Sequence, residues 1–268
     1  MKSITLRAAS YSIGFGGILL LILTAGYTFQ MPWATATWPW PDSRLSYVFV
    51  ASILAAIATN ILWLSVIGEW GTAVSGAVNL LIAAVGMSVF MFQLYASRGQ
   101  QSLLIYGIVF ALFALYNLGF ALWSRRFAIQ DRRTAPRPVR ISFWIFATVL
   151  LLVAIALLTR APAIFPWPLN GDSSVLFGWI FLGASVSFAY AATRPRWHDS
   201  KGQLIGFLAY DVILIVPFLG HFADVTPDHL LSLIIYVIVL VYSGALAIYY
   251  LLINKETRNW AIEREAGA

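Results

Sequence analysis

The sequence predicts an all-α membrane protein: eight transmembrane helices arranged as two parallel four-helix repeats, with both termini cytoplasmic. Three observations predict this. The chain is 60% hydrophobic and 10% charged over 268 residues, with a mean hydropathy of +0.81; in soluble proteins roughly a quarter of residues are charged. Apolar runs of about 20 residues, the length a helix needs to cross a bilayer, recur along the chain. A short aromatic-proline stretch occurs twice, as Trp38-Pro39-Trp40-Pro41 and as Phe165-Pro166-Trp167-Pro168, the second 127 positions after the first.

In chain order the spans are 8–29, 46–67, 72–95, 102–123, 141–159, 174–193, 203–222 and 230–253. Backbone polar groups in hydrocarbon must pair internally, and none of these runs alternates as barrel strands do, so each is a helix. Lys2 and Arg7 before the first run, with Ala34-Thr35-Ala36 after it, have the layout of a secretory leader. The fifth run leads into its own Pro-Trp-Pro corner in the same way and is internal. The first run is therefore read as a retained helix. The segment 124–140, with six Arg and two Pro, divides the chain into a first repeat at 1–123 and a second at 141–253, followed by a cytoplasmic tail at 254–268.

Orientation follows from the basic residues. Of the 17 Lys and Arg, only Arg44, Arg98 and Arg160 fall on the side of the corners; the rest lie with the termini and the basic linker, which places that side in the cytoplasm. An even number of helices per half makes the second half enter in the same direction as the first, giving a parallel repeat about an axis near the membrane normal and disfavouring inverted-repeat architectures. Ser52, Ala56 and Asn60 form one i, i+4 stripe, and Gly183, Ser187 and Ala191 form its counterpart; small residues at that spacing let helices approach closely.

Trp38, Trp40, Phe165 and Trp167 are expected to act as interface anchors. Indoles favour the headgroup level and proline stiffens the turn, and Met31, Trp33 and Ile164 extend the same belt. Within the spans one acid stands alone, Asp211, and an ionisable group at that depth marks a candidate functional site. On the same helix Gly206, Tyr210, Pro217 and His221 fall along one stripe, and Pro217 cannot donate to the carbonyl of Ile213. Asn79 sits at similar depth in the third helix of the first repeat, and Asn60 and Asn117 can also face inward. The candidate ligand-binding residues are therefore Asp211, Tyr210, Asn79, Asn60, Asn117 and His221, gathered in a small polar centre between the halves in which Asp211 and Asn79 face each other.

Several chemistries lack their parts. With no Cys there are no disulfides, thiolate metal sites or cysteine nucleophiles. Bis-histidine haem needs His pairs on facing helices, and the first half contains no His. No Lys lies inside a predicted span, so a retinal Schiff base is absent, and no phosphate loop or His-Glu-x-x-His pattern occurs. No cofactor and no metal site are expected. His221, Asp224, Asp228 and His229 have ligand types that suit zinc but match no motif and read as loop polarity. Tyr210-Asp211 lacks the second buried aspartate that an intramembrane aspartyl protease requires. The net charge of +6 is orientation charge between spans rather than a nucleic-acid patch. Glu69 and His198 read as solvated loop residues, and Lys255, Arg258, Trp260, Glu263 and Arg264 as a snorkelling continuation of the last helix.

The duplicated corner and the small-residue helix after it resemble those of a group of uncharacterised bacterial multi-pass membrane proteins. The resemblance implies a bacterial cytoplasmic (inner) membrane and transfers no activity, substrate or catalytic residue. Two function classes remain in front: a transporter-like or binding protein for a small or lipophilic molecule, and a non-catalytic accessory or scaffold subunit with a membrane-protein partner. An enzyme would have only the His/Asp cluster and one buried acid to work with. Apart from the lipid bilayer, the expected partners are that lipophilic molecule or that protein, and not nucleic acid. Few polar groups lie in the spans to replace the water shell of a sugar or an ion, which favours a small or lipophilic ligand.

Overall fold

The computed structural model describes residues 4–129, 131, 133–194 and 196–258; Lys2, Arg132, Trp260, Glu263 and Arg264 lie outside them. The helices are α1 (Ile4–Thr28), α2 (Pro32–Thr35), α3 (Arg44–Ile67), α4 (Ala73–Arg98), α5 (Gln101–Ser124), α6 (Arg137–Leu158), α7 (Gly171–Thr193), α8 (Trp197–His221) and α9 (Pro227–Ile248). A 3₁₀ turn, Trp70–Thr72, precedes α4, and a π turn, Tyr249–Ile253, ends α9. Among the described residues eight helices, all but α2, are long and apolar enough to span a membrane, and none is a strand.

Local chemistry sets the helix ends. Ser43 and Asn170 cap α3 and α7 by accepting from the backbone N–H groups of Ser46 and Asp172. Gly68 and Gly99 leave α3 and α4 in the left-handed conformation that a tight helix-to-helix turn needs. Pro stands in the first turn of α2, α6 and α9, where its missing N–H is not required. α8 begins at Trp197, six residues before the predicted span. Apolarity alone hides its first turns, because His198, Asp199, Ser200 and Lys201 are helical and buried.

Close helix contacts run in two rows, α1–α3–α8–α9 and α5–α4–α7–α6, and each contact has a glycine at it. Gly17 meets Leu62, Gly206 meets Asn60 and Ala56, and Gly244 meets Asp211 in the first row. Gly107 meets Phe92, Gly183 meets Asn79, and Gly178 meets Leu158 in the second. In hydrocarbon no hydrophobic effect drives helices together, so packing of this kind carries the association.

The space between the rows holds two ring clusters, one toward the corners and one in the linker half, where Phe207 of α8 meets Phe146 of α6 at 4.9 Å and Phe188 of α7 at 5.1 Å. Toward the corners the rings surround Phe49. Phe49 is fully buried, and its ring centroid lies 4.8 Å from that of Phe165, 5.3 Å from Phe177, 5.9 Å from Phe181 and 5.8 Å from Tyr210. The second corner belongs to this core: Phe165 is 1% and Trp167 3% exposed. They are thus not the headgroup anchors the sequence suggests, because their corner folds inward over the gap between the rows. Trp38 is half-buried and stacks on Phe177 at 5.7 Å, Trp40 is half-buried beside it, and Trp33 and Met31 remain exposed.

The corners are also cross-bonded. Trp40 Nε1–H donates to Ser173 Oγ at 2.7 Å, and Trp167 Nε1–H donates to Ser46 Oγ at 2.9 Å. Positions 40 and 167, like 46 and 173, differ by 127, so one bond is the other moved along the chain. The same offset relates the approach of Asn79 to Gly183 and that of Gly206 to Ala56, the Ser75–Ser187 and Gly202–Asn60 contacts, and the Trp70–Trp123 and Trp197–Tyr250 ring pairs. In this register Ala56 and Asn60 match Gly183 and Ser187, so the two stripes read from sequence are displaced by one turn.

A Cβ on Gly183 would collide with the Asn79 carbonyl, whereas nothing lies within 4 Å of one on Gly119. Gly183→Ala is expected to lower stability by about 1–3 kcal/mol and Gly119→Ala to change it by less than about 0.5 kcal/mol, measured by unfolding in mixed SDS micelles. In a double-mutant cycle of Trp167→Phe with Ser46→Ala, we expect a coupling of about 1 kcal/mol from the indole–hydroxyl bond; additive losses would show that the bond contributes nothing.

Candidate functional site: the polar junction of the core helices

The four helices α3, α4, α7 and α8 bring one-turn segments together at 56–60, 75–79, 183–187 and 202–206, in the half of the bundle nearer the basic linker. Small residues at these segments let the backbones approach and bring polar side chains of facing helices within bonding distance. Ser75 and Ser187 share a hydrogen bond of 2.7 Å across α4 and α7. Gln203 of α8 donates to Ser187 Oγ at 2.6 Å and reaches Ser75 Oγ at 3.4 Å. Gln203 thereby ties the α3/α8 pair to the α4/α7 pair. Asn60 lies against Gly202 and Gly206, and its buried Oδ1 has no hydrogen-bond partner among the described residues. An unmet acceptor of this kind costs about 1–3 kcal/mol, which a bound donor would recover.

The polar lane continues toward the linker end. Lys201 is 1% exposed, and its Nζ sits 4.6 Å above the Trp63 ring, a cation–π contact. One turn beyond, His198 Nδ1 lies 3.3 Å from Glu69 Oε2 and 3.5 Å from Asp131 Oδ2. Asp131 is gripped by Arg133, whose Nε and Nη2 reach its carboxylate at 3.0 and 2.7 Å and whose backbone N–H adds a third bond at 3.1 Å. The linker therefore runs under the bundle rather than into solvent. The Phe127 carbonyl abuts Gly71, and Trp197 N–H donates to the Arg133 carbonyl at 2.8 Å. Burial alone would raise the Asp131 carboxyl, but the Arg133 hydrogen bonds and the nearby positive charge outweigh it and hold it at about 2.

The structure sorts the predicted residues as follows. Asn60 and Asn79 belong to the junction. Asp211 does not: it is 7% exposed, and both its carboxylate oxygens lie 3.0–3.1 Å from the Ser243 hydroxyl, with Gly244 against it. It binds α8 to α9, while Asn79 faces Gly183 on α7, so the expected pairing of Asp211 with Asn79 is not formed. The reason is register: position 84, an alanine, is the 127-offset counterpart of Asp211. Tyr210 packs edge-on against Phe49 in the aromatic half. Asn117 turns its Nδ2 back to the Phe113 carbonyl of its own helix at 2.8 Å. His221 Nε2–H and His229 Nδ1–H donate to the carbonyls of Pro166 and Phe165, both at 2.8 Å; they brace the second corner. Among the described residues no three His, Asp or Glu gather into a group that could hold a metal ion.

Ser75, Ser187, Gln203, Lys201, His198 and Glu69 were not singled out as site residues from sequence. The signal for Lys201 was available: the offset puts Trp197 on Trp70, which extends the helix back through a segment that reads as a loop on apolarity alone. No family model, curated protein or solved structure matches the chain.

The held-down carboxyl of Asp131 gives a pH dependence with a definite sign. Its contribution to stability is full above the ordinary carboxylate value near 3.8 and is lost as pH falls toward about 2. Asp131→Asn is expected to cost about 1 kcal/mol at neutral pH and to flatten the loss of stability below pH ~4, read from thermal unfolding in detergent across pH.

Proposed function

We propose that the chain is a binding or transport protein of a bacterial cytoplasmic membrane, built from two parallel four-helix repeats, and that it takes a small molecule into the polar junction from the linker side. The observation that carries this reading is the Gln203–Ser187–Ser75 bridge with the unmet Asn60 Oδ1 beside it. A polar group left unsatisfied where two pairs of helices meet is a docking point for a hydrogen-bond donor. The constant offset of 127 between equivalent contacts supports the repeat, and the weight of Lys and Arg at the linker end supports a cytoplasmic location for that end and for both termini. The corner motif, through its resemblance to bacterial multi-pass proteins, supports the choice of membrane. The ligand is small, with one or two donor groups, because the segments around the site carry few groups that could strip water from a strongly polar solute.

A second reading, a non-catalytic accessory or scaffold subunit, is favoured by the aromatic packing around Phe49, which fills the corner half of the core. Native mass spectrometry of the protein released from its own membrane in mild detergent separates the two. The proposal expects one defined small molecule retained by the wild type, lost in Gln203→Leu and kept in Asp211→Asn. Release with a stoichiometric protein partner and no small molecule would overturn it in favour of the accessory reading.

A further inference from the structure

α7 shows the bilayer one stripe that runs to its linker end: Val186, 37% exposed, then Tyr190, half-buried, and Arg194, exposed, each one turn beyond the last. Apolar, then phenolic, then cationic is the order in which a phospholipid presents its acyl chain, glycerol region and headgroup. We propose that this stripe, with Arg125 and Arg196 beside it, binds an anionic phospholipid, the phosphate at Arg194 and Arg196 and one acyl chain along Val186.

The headgroup end is built from the ends of α5 and α7 and the start of α8. The Arg194 guanidinium lies 4.4 Å from the centroid of the Tyr190 ring, a cation–π contact that holds it against its own helix. Arg196 is fixed through its backbone, which pairs with Thr134 of the linker in an antiparallel bridge, and Arg125 follows α5 as its C-cap. Arg194, Arg125 and Arg196 all lie within electrostatic reach of the Tyr190 hydroxyl. From α6, Arg140 Nε–H donates to the Ala192 carbonyl at 3.2 Å, and the Thr193 hydroxyl donates to the Tyr190 carbonyl at 2.8 Å. The negative end of α7 is thus already met by donors and does not repel a phosphate.

The balance of charge stays positive with the nearby acids included. Arg125, Arg194 and Arg196 are all exposed, and among the described residues none of them is in an ion pair. Asp199 stands in the field of Arg194 and Arg196; it occupies the first turn of α8, where the positive end of that helix offsets it. Of the other described acids at this end, Glu69 and Asp131 face His198, with Asp131 also held by Arg133, and Glu256 follows Lys255 beyond α9. With Asp199 set against one guanidinium, two remain at the boundary where headgroup phosphates lie, and their planar forks suit phosphate oxygens.

The test is native mass spectrometry of the full chain in detergent, titrated separately with palmitoyl-oleoyl phosphatidylglycerol, the matching phosphatidylcholine and glycerol 3-phosphate. Phosphatidylglycerol is expected to bind more than about tenfold tighter than phosphatidylcholine, and Arg194→Gln and Arg196→Gln each to weaken it about fivefold while leaving phosphatidylcholine unchanged. Arg194→Lys, which keeps the charge, is expected to retain most of the preference, so that a loss in Arg194→Gln is not a folding defect. Asp199→Asn is expected to strengthen phosphatidylglycerol binding, whereas a merely structural role for the cluster would leave it unchanged or weaken it. Arg7→Gln, at the start of α1 in the other row, is expected to change nothing. Equal binding of the two lipids by the wild type, or a loss in Arg7→Gln as large as that in Arg194→Gln, would overturn the proposal, since either result reports a generally basic surface. Glycerol 3-phosphate binding as tightly as phosphatidylglycerol would overturn the assignment to a lipid, because the chain along Val186 would then contribute nothing. The outcome does not depend on the polar junction, whose Gln203→Leu variant is expected to keep the lipid.

Discussion

Close backbone approach at glycine is the constraint on which the rest of this structure depends. Where α4 meets α7 the contact is Asn79 on Gly183, and where α3 meets α8 it is Gly206 on Ala56 and Asn60. With apolar solvent on all sides, bringing helices together gains only packing and hydrogen bonding. Both need the axes near each other. Once these two crossings are fixed, the outer helices follow through their own glycines, and short polar side chains at the crossings come within bonding distance of one another.

That geometry sets a polar junction among aromatic clusters. Between the rows near the corners, the gap is filled by rings around Phe49, with edge-to-face contacts that suit aromatic quadrupoles. Nearer the linker, serines, asparagines and a glutamine meet where α3, α4, α7 and α8 cross, followed by charged groups, while Phe146, Phe188 and Phe207 form a second ring cluster between α6, α7 and α8. The rings around Phe49 seal the corner end of the gap. The reciprocal Trp40–Ser173 and Trp167–Ser46 bonds close the sealed end by linking each corner to the helix that follows the other.

The linker shows how charge serves packing here. Arg133 grips Asp131 with both guanidinium and backbone, and His198, Glu69 and Lys201 gather around the same point. These groups join the α3–α4 turn, the linker and the start of α8, three segments far apart in sequence. A cluster with both signs present can be buried because its members compensate one another, whereas any one of them alone would be costly.

The sequence by itself determined the eight spanning segments, because their length and apolarity leave no soluble alternative, and it marked the duplicated corners. It also marked Asn60 and Asn79 as polar groups at useful depth. Only the tertiary structure decided which polar residues meet. Asp211 looked central because it is the one acid within the predicted spans, yet its partner, Ser243, lies on the neighbouring helix and turns it away from the junction. Lys201 and His198 looked like loop residues because charge interrupts hydropathy, yet their partners come from segments about 70 to 140 positions away. Phe165 and Trp167 looked like surface anchors because aromatic corners favour the headgroup level, and only the fold of the loop at 159–170 turned them inward. The physical reason is common to all three: hydropathy is local and survives in one dimension, whereas pairing and burial depend on helix register, which is settled when glycines at distant positions come into contact.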